Sequence, residues 1–129
     1  MNSKKNEERS LNLDDVVVLR KYSKGLIITD LYKETFCLAK KDVDTDRIFD
    51  MIVSSLNMHY FKNGNRYINL DLIKDVKTQI IPASSIYATK VLFDGGKEEV
   101  FNCATEIEAN SLKRKILQCK RDTQNALEI

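Results

Sequence analysis

The segment His59-Tyr60-Phe61-Lys62-Asn63-Gly64-Asn65-Arg66-Tyr67 interleaves aromatic rings with Lys62 and Arg66 around a tight turn. Single-stranded nucleic acids are held by this pairing of residue types. Ring faces stack on bases, at roughly 1–3 kcal/mol per base, while cations meet phosphates. Tyr60, Phe61 and Tyr67 are therefore candidate stacking residues, and Lys62 and Arg66 candidate phosphate contacts. A second basic feature lies near the C-terminus, where Lys113, Arg114, Lys120 and Arg121 fall beside an apolar helical stripe and Lys115 lies opposite. Lys113, Arg114 and Arg121 complete the candidate nucleic-acid-binding set. Each of these residues also has an ordinary role open to it. Tyr60 and Tyr67 suit any strand, Phe61 or Ile68 can face a core, and cations late in a helix complement its dipole.

The residues needed for catalysis are not assembled by spacing. His59 is the only histidine, and a Cys–His pair would need Cys37, Cys103 or Cys119 to meet it in space. Asp42, Asp44 and Asp46 alternate as at the start of a calcium loop, but Arg47 stands where that loop needs Gly and Val53 where it needs a bidentate Glu. Helix capping accounts for all three. Gly95-Gly96 lacks a following Lys-Ser/Thr and joins two strand-like runs, so it reads as a turn and not a phosphate loop. A non-enzymatic protein without metal or cofactor is the expectation.

Composition narrows the class further. A chain of 129 residues, 43% apolar and 31% charged, is long enough to bury one core without disulfides. The net charge of +2 and pI near 8.4 fall short of a typical basic nucleic-acid domain, so the placement of charge matters more than its total. Cys37, Cys103 and Cys119 are odd in number and lack C-x-x-C spacing, which predicts free buried thiols in a reducing, cytoplasmic setting. No apolar run approaches a membrane span and no signal-peptide core is visible.

The elements that must position these residues come from local patterns. Val16–Leu19 is a β-branched strand, and Ser23-Lys24-Gly25 turns the chain, with Gly25 expected at positive φ. The strands Leu26–Tyr32 and Glu34–Ala39 follow. Asp42–Asp46 open a helix whose apolar arc is Ile48, Phe49, Ile52, Val53 and Leu56. Met58–Lys62 and Arg66–Leu70 flank Asn63-Gly64, a strong hairpin signal, and Leu72–Ile81 continues as a strand. After the Pro82–Ser85 loop, Ala88–Phe93 and Glu98–Ala104 form a last hairpin. Thr105-Glu106-Ile107-Glu108 is a capping box for a helix with the stripe Ala109, Leu112, Ile116 and Cys119.

A hairpin followed by a helix thus occurs twice, and the return strands match at Glu34/Glu99, Phe36/Phe101 and Ala39/Ala104. The expected fold is a single α+β domain over 14–121, with pseudo-repeats 14–57 and 58–121, about eight antiparallel strands and two helices. Residues 1–13 and 122–129 read as flexible tails. In layout this resembles the Whirly and PUR-type single-strand binders, which implies a single-stranded DNA or RNA ligand. The run Arg66–Val76, then Thr89–Phe101 and a helix, also resembles a pleckstrin-homology-like barrel capped by its C-terminal helix. That alternative implies a protein-interaction or adaptor module and a protein partner. Exposed strand edges leave a homodimer or larger homo-oligomer open under either reading.

Overall fold

A computed structural model describes residues 13–32, 35–56 and 59–128. Its eight strands are β1 (Val16–Tyr22), β2 (Gly25–Asp30), β3 (Thr35–Ala39), β4 (Tyr60–Asn63), β5 (Arg66–Asn69), β6 (Ile73–Ile81), β7 (Ile86–Phe93) and β8 (Glu98–Asn102). The helices are α1 (Thr45–Ser55) and α2 (Glu106–Glu128). All pairings are antiparallel, giving a five-stranded sheet in the order β3-β2-β1-β5-β4 and a three-stranded sheet β6-β7-β8. The α+β expectation holds. The barrel alternative does not, because among the described residues no ladder joins the two sheets into a closed cylinder.

The central strand explains the layering. Val16–Leu19 are all buried, and a bulge between Val16 and Val18 turns Val16 and Leu19 toward one core and Val17 and Val18 toward another. A strand buried on both faces reads as a continuous apolar run. On one face α1 lays Ile52 and Leu56 against Leu19, Leu26 and Ile28. On the other, Val17, Val18 and Ile68 share a core with Val76, Val91, Phe93 and Phe101 of the smaller sheet and Ile116 of α2. The two helices therefore lie on opposite faces of the five-stranded sheet.

Local signals set the ends of these elements. Asp44 caps α1 by accepting from the Arg47 amide at 3.1 Å. At α2, Thr105 Oγ1 accepts from the Glu108 amide at 3.1 Å, and Glu108 Oε1 reaches back to the Ala104 amide at 2.8 Å, one residue beyond the usual box partner. Buried Asn69 donates to the Val16 carbonyl and accepts from the Asp71 amide, holding the Leu70–Leu72 turn that carries the chain from the larger sheet to the smaller.

Several expectations shift. The helical backbone of α2 continues to Glu128, past Arg121 where the C-terminal tail was placed, because no Gly or Pro interrupts it. The N-terminal tail over 1–12, Lys33, Glu34, Asn57 and Met58 lie outside the described residues. The β4–β5 register pairs Asn63 with Arg66, so Gly64-Asn65 forms the two-residue loop, with positive φ at Gly64 (61°), the first of its two residues. Cys37 is exposed on the edge strand β3, while Cys103 and Cys119 are half-buried. Burial, with the carboxylate of Asp122 adding to it, pushes the Cys119 thiol up.

Gly25 has no positive φ. It is required because a Cβ there would run into the backbone carbonyl of Leu38 across the β2–β3 pair. Gly25→Ala should therefore force the two strands apart and cost about 1–3 kcal/mol, as overpacking does, measured by urea denaturation. Unchanged stability would contradict that reading.

Candidate functional site

Strand alternation decides what the aromatic hairpin can do. Along β4 and β5, Tyr60 and Tyr67 pack on the α1 side and Phe61 packs on the opposite core. The Tyr67 ring meets Phe49 of α1 edge-on at 5.0 Å and lies 5.5 Å from Tyr60. Lys62 Nζ sits 5.9 Å from the Tyr67 centroid, and Lys21 Nζ 4.3 Å from that of Phe49. The three rings chosen from sequence are thus divided between two faces and partly consumed by packing. They form no common stacking platform.

Arg66 is also committed. Its Nη1 donates to Glu99 Oε2 at 2.9 Å and to the Val100 carbonyl at 2.7 Å, while its guanidinium lies 4.1 Å from the Phe101 ring centroid. Arg20, directly opposite Arg66 in the β1–β5 register, donates from Nη2 to both oxygens of Glu99 at 2.7 Å. Glu99 is only 4% exposed, whereas the arginines are between a quarter and a third exposed. A carboxylate of the smaller sheet is therefore clamped by two cations of the larger one, leaving a surplus of positive charge. Arg66→Glu would set two carboxylates together, so it cannot serve as a silent probe of phosphate contact.

The cations of α2 are spread around its circumference. At about 100° per residue, Lys113 and Lys120 share one flank, Arg114 and Arg121 the outward face, and Lys115 the other flank. Lys120 Nζ donates to the Leu70 carbonyl at 2.9 Å, a bond within the fold. Arg121 bonds Gln118 at 2.8 Å on the exposed surface, and Arg114 is exposed. The cation brought to Arg66 is Lys115, which sequence reasoning placed apart. Both line a groove of about 280 Å³ between the β4–β5 tip, the end of β8 and α2, with Asn63 and Asn102 at its wall. No sequence signal joins them, because they meet only when α2 packs across the smaller sheet.

His59 lies beside Asp71, with Nδ1 at 3.2 Å from Oδ2, and the Cys103 thiol donates to the Phe101 carbonyl at 3.7 Å. Among the described residues, no group of three His, Cys, Asp or Glu side chains could hold a metal ion. None of their helices is long and apolar enough to cross a membrane. Comparison with known protein families, curated sequences and solved structures finds no match for the chain.

The clamp makes a ranked stability prediction. Glu99→Ala leaves two guanidiniums facing each other and should cost about 3 kcal/mol. Arg66→Ala should cost less, since Arg20 keeps both of its bonds to Glu99. Urea denaturation of the two variants checks the order, and a reversed order would mean that Arg66 acts mainly through Phe101.

Proposed function

We propose that the protein is a non-enzymatic binding module for single-stranded nucleic acid, held on its α2 side and not by the aromatic hairpin. The observation that carries this reading is the charge along the middle of α2. Between Ala109 and Arg121 the helix carries Lys113, Arg114, Lys115, Lys120 and Arg121 and not one acidic residue, on the same side of the five-stranded sheet as the cationic Arg20–Glu99–Arg66 clamp. A molecule with little net charge can still present one face to a polyanion. Lys113, Arg114 and Arg121 stay in the phosphate-contact set, joined by Lys115. Arg66 supplies charge from a fixed position, while Tyr60, Phe61 and Tyr67 support the fold.

A second reading has its own observation. Ile81 and Ile86, paired across β6–β7, are each 38% exposed, and Ile107 at the start of α2 is 78% exposed. Pro82, which follows Ile81, lines a hollow with Tyr87 and Ile107, and exposed apolar residues of this kind favour a protein partner or a second copy of the chain.

Fluorescence anisotropy with labelled single-stranded DNA and RNA tests the first reading. Binding should weaken with salt at a log–log slope of about −3, as expected for four phosphate contacts to a single strand. The Lys113→Glu/Arg114→Glu/Arg121→Glu variant should lose at least tenfold in affinity. No binding at low salt, where electrostatics are strongest, would remove the nucleic-acid reading and leave these exposed apolar residues as the interaction surface.

A further inference from the structure

We propose that the groove between the β4–β5 tip and α2 is a binding site for a phosphate monoester carrying a planar ring, a ligand of mononucleotide size. It deepens the proposed function and rests on it insofar as the monoester is the end of a strand. A free nucleotide is the other source of the same chemistry.

The lining divides into a charged wall, amide donors and an apolar floor. Arg66 and Lys115 provide the cations, and Lys115 has no ion-pair partner among the described residues. The guanidinium of Arg66 is pre-organised, because Glu99, the Val100 carbonyl and the Phe101 ring fix it before any ligand arrives. Both of those hydrogen bonds leave from Nη1, so the rest of its five-donor fork stays in hand. Asn63, Asn102 and Ser111 add neutral donors around the same space. Donors in such excess suit a tetrahedral dianion with many lone pairs better than a single carboxylate.

Size and floor specify the remainder of the ligand. Leu112 is the half-buried apolar side chain at the base, and Phe101, itself buried, backs the Arg66 guanidinium, whose plane is a surface on which nucleobases stack. A volume of about 280 Å³ lies at the lower edge of small-ligand pockets, room for one ring and one phosphate but not for a stacked run of bases. Glu108 is the one acidic side chain in the lining. It repels the phosphate, while one of its oxygens accepts from the Ala104 amide.

Cys103 lies in the groove wall, while Cys37 is exposed on β3 outside it, so alkylation of the two thiols followed by mass spectrometry provides a built-in reporter and control. Adenosine 5′-monophosphate, adenosine and inorganic phosphate would be titrated calorimetrically against the full chain. The monophosphate should bind at least tenfold more tightly than either fragment and slow alkylation of Cys103 but not of Cys37. Lys115→Glu should cost at least tenfold. Glu108→Gln, which keeps the oxygen that caps Ala104, should tighten binding severalfold. Both positions are exposed, and matching thermal unfolding curves establish that the variants fold.

Equal affinity for adenosine and its monophosphate, or an unaffected Lys115→Glu variant, overturns the site. RNA oligomers with 5′-phosphate and 5′-hydroxyl ends then separate the sources. A preference for the phosphorylated end that Lys115→Glu abolishes places the strand terminus in the groove. Monophosphate binding without oligomer binding keeps the groove and removes the nucleic-acid function. Oligomer binding with neither end preference nor protection of Cys103 keeps that function and removes the groove.

Discussion

The Arg20–Glu99–Arg66 clamp is the interaction on which the arrangement of the two sheets depends. Arg20 and Arg66 stand directly opposite each other on adjacent strands, an unfavourable pairing of like charges unless something lies between them. Glu99 of β8 fills that position from the other sheet, and the oxygens it presents are nearly inaccessible to solvent. Buried ion pairs add little stability beyond what apolar packing would supply. The consequence here is geometric. An apolar core of Val, Ile and Phe side chains tolerates sliding between sheets, whereas three charged groups that must all be satisfied do not.

From that fixed angle the distribution of charge follows. The smaller sheet and α2 occupy one face of the larger sheet, and α1 the other. The acidic residues that open α1 are consequently held a sheet's thickness from the cations of α2, and Lys21 and Lys62 stay on the α1 side over Phe49 and Tyr67. The clamp also leaves its excess positive charge beside the groove that Lys115 borders. One buried carboxylate thus both joins the sheets and sets a cation, already oriented, at the edge of a groove lined by β4–β5, β8 and α2.

Much of the secondary structure was legible because it follows from short-range rules. The Val16–Leu19 run, the Asp44 cap, the Thr105–Glu108 box and the stripes of both helices require nothing beyond neighbouring residues. Period-two alternation also separates Phe61 from Tyr60 and Tyr67, so the division of the aromatic hairpin was available to a strict reading of faces. The hairpin register was less accessible, since Asn63-Gly64 and Gly64-Asn65 are both plausible turns and only the ladder selects the second.

By itself, then, the sequence determined the elements, the α+β class and the residue types exposed on each helix, all of which are fixed by periodicity and local hydrogen bonding. Tertiary structure decided which of those residues meet. Glu99 reads in sequence as one more charge on a strand, and Gly25 as a turn residue. Only the approach of β8 to β1 and β5, and of β3 to β2, turns the first into a clamp and the second into a steric necessity. Lys115 joins Arg66 for the same reason. Their separation along the chain is closed by packing α2 across a sheet, and no pattern within a single element encodes that encounter.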